Sequence, residues 1–245
     1  MSVVLAPRLR VDRQLVNQGA EADLNHALEL LNQVKAGERD AMLRFYRPEP
    51  TVAFGQRDTR LTGFAAAEQA SRENGFVPAV RRAGGRAAAY HQGTLVVDHI
   101  QPAEDAIVGA KERFGFFGEL FTQALRSLGV DAGVGEIPGE YCPGEFSVFG
   151  RNTQDGPALP AGARIKLIGT AQRVVAGAWL FSSVIVVENS APIRQVLTDT
   201  YSALGLDWDP VTAGAVEDLV PGITVDAVEE AVLAVYATHA ELIRS

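Results

Sequence analysis

One cysteine, Cys142, is all that 245 residues contain. No intrachain disulfide can form, and no zinc site can rest on thiolates alone. Four histidines, His26, His91, His99 and His239, lie scattered without metal-ligand spacing, so a zinc enzyme is not expected. No apolar run reaches the roughly 18 residues of a bilayer span. The N-terminal MSVVLAPRLRVDRQ puts its short apolar stretch ahead of its arginines, the reverse of a secretory signal. Basic blocks are missing and the formal net charge is −8, so neither nucleic acid nor membrane is an expected partner. The glycine patterns of the common nucleotide folds are absent as well: no Gly-Lys-Ser/Thr makes a Walker loop, and no G-x-G-x-x-G makes a Rossmann fingerprint. No Ser-His-Asp order or paired-carboxylate constellation stands out. What remains is an ordinary globular composition, 47% hydrophobic and 21% charged, which excludes disorder and leaves a protein expected in the cytoplasm.

Lysine is scarce too. Lys35, Lys111 and Lys166 stand against nineteen arginines, so a lysine kept where arginine is the habit invites a chemical reason.

Periodicity predicts a helix over 22–35 from Leu24, Leu28 and Leu31, with Gly37 beyond it. Short strands follow at 41–46 and 51–54, joined by the Pro48/Pro50 turn, then a helix at 64–73 ended by Gly75. Strand, glycine-rich loop and strand are read at 77–81, 82–86 and 94–100. A helix over 106–128 carries Phe114, Phe117, Phe121, Leu125 and Leu128 on one face and stops at Gly129. Strands are expected at 133–137, 144–150, 164–175 and 178–187, with a polar surface loop at 151–162. Ser190 and Pro192 open a helix to about 203, and Thr224 caps a last helix to about 243. Uneven alternation with clustered strands favours an α+β fold, a mixed central sheet with flanking helices. Residues 1–204 are read as the catalytic domain and 205–245 as a linker and C-terminal helix packed on it. The helices at 191–203 and 224–243 offer an alternative, a small C-terminal subdomain.

Three segments carry possible chemistry. In Arg81-Arg82-Ala83-Gly84-Gly85-Arg86, arginines leave a strand beside glycines that let backbone N–H groups approach a ligand, which suits a phosphate or carboxylate. A hairpin turn with solvated arginines fits the same letters. Lys166 lies in the apolar strand Ile165-Lys166-Leu167-Ile168-Gly169-Thr170-Ala171-Gln172, where an unpaired ammonium is costly. It either faces a cleft or partner, or sits on a solvated edge; Gly169 suggests a bulge or a bound group. Cys142 sits in a Pro/Gly turn, Tyr141-Cys142-Pro143-Gly144-Glu145-Phe146-Ser147, and is either a small buried hydrophobe or a nucleophile activated by a nearby cation.

Together these segments resemble the lipoate-protein ligase and octanoyltransferase superfamily, whose fold is shared with biotin protein ligases and is class II synthetase-like. Arg81-Arg82-Ala83-Gly84-Gly85 through Tyr90-His91 resembles the family's R-R-x-S/T-G-G-G-A-V-x-H-D. Lys166 to Gln172 resembles K-x-x-G-S-A-Q, and Pro50 to Gln56 is similar to the strand and glycine turn before the family's first lid helix. Cys142 with Ser147-Val148 resembles the C-x-x-P-S-x-Y-E-L run of the cysteine-dependent octanoyltransferases. The match spans roughly residues 20–200.

The resemblance implies acyl transfer to a lysine amine, with acyl carrier protein as donor and a lipoyl domain or glycine-cleavage H protein as acceptor. Cys142 would carry a thioester and Lys166 would stabilise the acyl oxygen. Arg81, Arg82, Gly84, Gly85, Arg86, Tyr90, His91, Gly169, Thr170, Ala171 and Gln172 would bind substrate. Octanoate or lipoate would be the transferred group, with no tightly bound cofactor and no metal. ATP and Mg enter only if the alternative, an ATP-dependent lipoate-protein ligase, holds. Arg86 and Gln92 replace a family glycine and aspartate, although Arg86 matches a second octanoyltransferase branch that reads R-G-G-R/Q-x-T-Y-H. The family's H-G-T/S-L-L strand becomes Leu180 to Val184 without its histidine. These departures sustain a third reading, a non-catalytic lipoate- or carrier-binding protein.

Overall fold

The computed structural model describes residues 3–153 and 160–244. The chain order is β1 (Arg8–Gln14), α1 (Ala20–Lys35), β2 (Met42–Tyr46), β3 (Thr51–Phe54), α2 (Phe64–Glu73), β4 (Val77–Val80), β5 (Ala88–Tyr90), β6 (Thr94–Pro102), α3 (Ala110–Ser127), β7 (Ala132–Val134), β8 (Val148–Arg151), β9 (Arg164–Val175), β10 (Ala178–Val186), α4 (Ser190–Leu204), α5 (Val225–Tyr236) and β11 (Glu241–Arg244). Eight strands form one sheet in the order β11-β1-β2-β6-β10-β9-β8-β7, and β4-β3-β5 form a second. Parallel pairs at β11/β1 and β1/β2 beside antiparallel pairs make the large sheet mixed. The fold is therefore α+β, a mixed sheet with flanking helices, as the clustered strands predict.

Period-2 alternation divides the large sheet's faces. One face carries Leu43, Phe45, Val97, Phe181 and Ile185 and packs on Phe117, Phe121 and Leu125 of α3 and Val228, Val232 and Tyr236 of α5. The other face carries Met42, Ile100 and Leu180 under Ala27, Leu31 and Val34 of α1. The small sheet shares a third core with α2 and α4, through Val52, Phe54, Ala67, Val196, Leu197 and Tyr201. The two C-terminal helices thus bury their apolar faces in different cores rather than pairing into a subdomain.

Several expected boundaries move, each for a local reason. The helix expected from 106 starts at Ala110, because Gly109 adopts φ +75° and leaves Ile107 and Val108 exposed. The last helix ends at Tyr236, and residues 241–244 pair in parallel with the free edge of β1. β1 buries only Leu9 and Val11, too short an alternation to be read as a strand. Residues 205–222, expected as a linker, are packed. Ala213, Ala215 and Val216 are buried, Gly214 N–H donates to the Lys166 carbonyl at 3.3 Å, and a Cβ on Gly214 would collide with Ile165. Residues 154–159, in the expected loop at 151–162, lie outside the described residues. Among the described residues no helix is long and apolar enough to cross a membrane.

Candidate active site

Strand β9 aims its lysine by an irregularity. Val148 pairs with Ile168, but Phe149 pairs with Lys166, so Leu167 is an extra residue at a bulge. Leu167 and Ile168 both turn into the α3 core. The shifted parity brings Lys166 to the side of Gly169 and Ala171, where strict alternation would not place it. An added Cβ at Gly169 would touch only Lys166 Cε, at 3.7 Å, so no protein atom crowds the space above the strand there.

Lys166 is buried and fully engaged. Its Nζ lies 2.7 Å from Glu140 Oε2 and donates to the carbonyls of Tyr141 and Cys142, each at 2.9 Å. The ammonium also sits 4.7 Å from the centre of the Tyr141 ring. An ammonium has three N–H donors, and each has an acceptor in the turn that carries the cysteine. The expectation that Lys166 stabilises an acyl oxygen directly therefore carries a condition: one of these bonds must open first.

Cys142 adopts φ +44°, unusual for a residue with a side chain. The turn around it is tied at both ends of the peptide unit. Its carbonyl is held by Lys166, and its N–H donates at 2.8 Å to the Tyr201 hydroxyl, which itself donates to the Ala87 carbonyl at 3.0 Å. Burial pushes the Tyr201 and Tyr141 hydroxyls up, so both stay protonated. The half-buried sulfur accepts the Arg86 N–H at 3.1 Å and lies 3.7 Å from Arg81 Nη2. An amide N–H and a guanidinium thus both face the sulfur.

The glycine loop is shaped around that sulfur. Gly85 has φ +102°, and a Cβ there would lie 2.8 Å from Cys142 Sγ and 2.5 Å from Arg81 Nη2. Gly55, in the turn after β3, is required for the same packing, since its Cβ would fall 1.9 Å from the Gly85 carbonyl oxygen. Arg81 Nη2 donates to the Arg86 carbonyl at 2.7 Å, closing the loop on itself.

A cleft of about 610 Å³ opens over this assembly, lined by Cys142, Lys166, Arg81, Gly84, Gly85 and Gly169 to Gln172, with Phe114 and Phe146 on the α3 side. A narrower slot of about 60 Å³ continues from it beneath α1. The two share Arg81, Gly169, Thr170, Ala171 and Val184, and the slot's far wall is Leu24, Leu28, Tyr46, Val96 and Leu180. Arg82 and Tyr90 line the slot rather than the cleft. Among the described residues, no group of three or more histidine, cysteine, aspartate or glutamate side chains could hold a metal ion.

Two expected binding residues are placed otherwise. His91 lines neither cavity; its Nδ1 accepts the Gly93 N–H at 2.9 Å and its Nε2 donates to the Asn189 carbonyl at 2.9 Å. Both ring nitrogens are thus spent on joining the β5–β6 turn to the start of α4. The Arg86 side chain pairs with buried Asp58 at 3.1 Å, and only its backbone reaches the sulfur. Gln172 lines the cleft but is also a brace: it accepts from Arg113 Nε at 3.1 Å and donates to the Ala110 carbonyl at 2.7 Å, fixing the entry to α3. Sequence reasoning missed Glu140 and Tyr201. A carboxylate two residues before the cysteine is a readable signal, though a weak one beside Glu136 and Glu145 in the same Pro/Gly stretch. Tyr201 shares the apolar face of α4 with Ile193, Val196 and Leu197, and its spacing gives no sign of a tie to the cysteine turn.

Comparison with known proteins points to one family. The family model described as lipoyl protein ligase A/B catalytic domain matches residues 21–237. The octanoyl-GcvH:protein N-octanoyltransferase of Geobacillus kaustophilus is 29% identical over 194 residues, covering 79% of this chain and 64% of that protein. Its namesake from Bacillus velezensis is 24% identical over 225 residues, covering 90% and 74%. The chain thus spans just under two thirds of the length of the Geobacillus relative. In fold it is similar to lipoate-protein ligase A bound with ATP, with TM-score 0.69 and 20% identity over 97% of this chain and 88% of that one. A chain from the bi-partite lipoate protein ligase and E2 lipoyl domain study of Thermoplasma acidophilum gives TM-score 0.65 and 19% identity, covering 97% and 87%. With the model covering nearly the whole chain, and the cysteine turn, glycine loop and β9 lysine converging on one cleft, the chain belongs to the lipoyl protein ligase A/B catalytic domain family.

Proposed function

We propose that this chain is an acyltransferase that carries an octanoyl or lipoyl group as a thioester on Cys142 and delivers it to a lysine amine of a carrier protein. The observation that carries the reading is the sulfur's position at the cleft, 3.1 Å from the Arg86 N–H and beside Arg81. In the first step the Cys142 sulfur attacks the acyl carbonyl. A new S–C bond forms, the bond to the donor breaks, and the departing donor thiol or amine takes the cysteine's proton. In the second step the acceptor's lysine amine attacks the thioester, a C–N bond forms, the C–S bond to Cys142 breaks, and the released sulfur takes a proton from the amine. Charge develops on the carbonyl oxygen in both steps. The Arg86 N–H and Arg81 are the donors nearest the sulfur, and Lys166 joins them when it releases a backbone carbonyl. The acyl chain would run over Gly169 and Ala171 into the slot beneath α1.

The names of the relatives bring forward octanoyl-GcvH as acyl donor and a second protein as acceptor. Octanoyl on acyl carrier protein is the other donor, and a lipoyl domain the other acceptor. The reading places the reaction in the cytoplasm and needs no bound cofactor. ATP-dependent lipoate ligation is the second reading, favoured by the ATP-bound ligase of the same fold. Against it, two cations lining the cleft are already paired, Lys166 with Glu140 and Lys111 with Glu145, while Arg81 donates to the Arg86 carbonyl and faces the sulfur.

The test is intact mass after mixing the protein with octanoyl-GcvH or octanoyl-acyl carrier protein, beside Cys142→Ala. One octanoyl adduct, removed by hydroxylamine and absent from the variant, is expected. No adduct from either donor overturns the thioester reading; ATP–pyrophosphate exchange with lipoate would then identify a ligase, and ligand-induced stabilisation without any product would identify a binder.

A further inference from the structure

The turn between β7 and β8 is wound around a carboxylate that does not line the cleft. Glu140 is buried, and its Oε1 accepts the N–H groups of Ile137 at 3.0 Å and Gly144 at 3.4 Å. Its Oε2 accepts the Ser147 hydroxyl at 2.6 Å and pairs with Lys166 Nζ at 2.7 Å. Donors on both sides of Cys142 in sequence thus converge on one side chain, and through Lys166 the same side chain holds the Tyr141 and Cys142 carbonyls. Such a network is strong only while every member is present, because the low-dielectric interior penalises each group left unpaired.

We propose that Glu140 is a positioning residue for the nucleophile: it fixes Lys166, and Lys166 holds Cys142 in the left-handed conformation that sets its sulfur against the Arg86 N–H. The proposal rests on the reading of Cys142 as the nucleophile. A left-handed conformation is unfavourable for a residue with a Cβ and persists only where its surroundings over-determine it. Here those surroundings are the clamp on the Cys142 carbonyl from Lys166 and on its N–H from Tyr201. Without the Glu140 charge, the buried ammonium loses the counter-charge it is paired with and its geometry. The turn then relaxes and the sulfur leaves its donors. Because Glu140 does not line the cleft, its loss acts on the rate of the donor-bound complex and not on donor affinity.

The experiment compares wild type, Glu140→Gln, Ser147→Ala and the neutral pair Glu140→Gln/Lys166→Met. Octanoylation of Cys142 by octanoyl-N-acetylcysteamine is followed by intact mass over a range of donor concentrations, with thermal melting as the check of fold. Glu140→Gln is expected to load on the order of 100-fold more slowly at saturating donor, the effect of an atom displaced by about 1 Å, with the half-saturating concentration unchanged. Ser147→Ala removes one tie to the same carboxylate, leaves both charges in place, and is expected to shift the rate in the same direction by less. It carries the test if Glu140→Gln does not fold. A wild-type rate in the folded Glu140→Gln protein, or in Ser147→Ala where that variant carries the test, overturns the proposal. So does a loss confined to half-saturation, or recovery by the neutral pair, which would make the two charges a structural filler. If wild type itself takes no octanoyl group, the transfer reading fails separately. Alkylation of Cys142 by iodoacetamide then decides: slowing by about tenfold or more in Glu140→Gln supports the positioning role, and an unchanged or faster rate removes it.

Discussion

Among the described residues, two cations are buried on strands of the large sheet, and they are held in opposite ways. Arg44, on β2, has no exposed surface and draws its partners from separate elements: Gln14 at the end of β1, Asp23 in α1 and Asp98 on β6, with its guanidinium stacked 4.0 Å from the Tyr46 ring. Lys166 draws all of its partners from one short turn, Glu140, Tyr141 and Cys142. The first arrangement ties distant parts of the chain together and fixes the fold. The second ties one strand to one turn and fixes a sulfur. Burying charge is expensive in either case, and breaking a buried pair leaves the partner uncompensated. What differs is how much of the molecule must move when the charge is lost.

That difference is measurable as stability. Arg44→Met leaves Asp23 and Asp98 buried without a cation, and the expected loss is about 3–5 kcal/mol. Lys166→Met leaves Glu140 with three remaining donors, Ile137 N–H, Gly144 N–H and Ser147 Oγ–H, so the expected loss is only about 1–3 kcal/mol. Urea unfolding of the two variants side by side checks the ranking, and equal losses would collapse the distinction. Octanoylation should rank them the other way, with Lys166→Met the slower of the two at equal folded fraction.

A finer probe of the turn is Gly85→Ala. The new methyl would need a positive φ that alanine resists and a position 2.8 Å from the sulfur. Gly85 is itself exposed and outside both cation networks, so the stability cost should be near 1 kcal/mol, while loading of Cys142 falls by about tenfold from the displaced sulfur. A variant that loads at the wild-type rate would show that the glycine loop can retreat from Cys142 without consequence.

The same contrast explains what could be read from the chain. Long elements were legible: α1, α2, α4, β9 and β10 fall within a residue or two of their expected bounds, the helices by their apolar spacing and the two strands by long Val/Ile-rich runs that the bulge in β9 does not interrupt. β1, β5 and β11 were not: β5 and β11 are short, β1 buries only Leu9 and Val11, and each owes its existence to an edge or gap offered by residues far away in sequence. The candidate site divides likewise. Cys142, Lys166 and the glycine loop were visible as residues out of keeping with their surroundings. Their joining was not, because it depends on the bulge at Leu167, on φ +44° at Cys142 and on a tyrosine from α4, none of which leaves a mark on local sequence. His91 shows the converse: a motif histidine reads as a pocket residue, and here both of its ring nitrogens are engaged by backbone.

A third buried polar group sharpens the comparison, and it carries no charge. His99 follows Asp98 on β6 and so faces the other side of the sheet, where it stacks on Trp179 with ring centres 4.8 Å apart, meets Phe117 edge-on and lies 3.2 Å from Gln101 Oε1. Burial lowers its pKa from the usual 6.5 to about 3. The folded protein therefore keeps His99 neutral at pH values where the unfolded chain protonates it. Between pH 6.5 and about 3 the unfolded state holds the extra proton, so this contribution to stability is complete above pH 6.5 and is lost as pH falls. Near neutrality the effect vanishes, which makes it the smallest of the series there. Urea unfolding of wild type and His99→Leu at pH 7 and pH 5 isolates it: the wild type should lose more stability than the variant on acidification, by the linkage of one proton. Equal losses would mean that the ring finds a way to charge inside the core. The aromatic face would then tolerate a cation that, on the other face, Arg44 can hold only with two carboxylates.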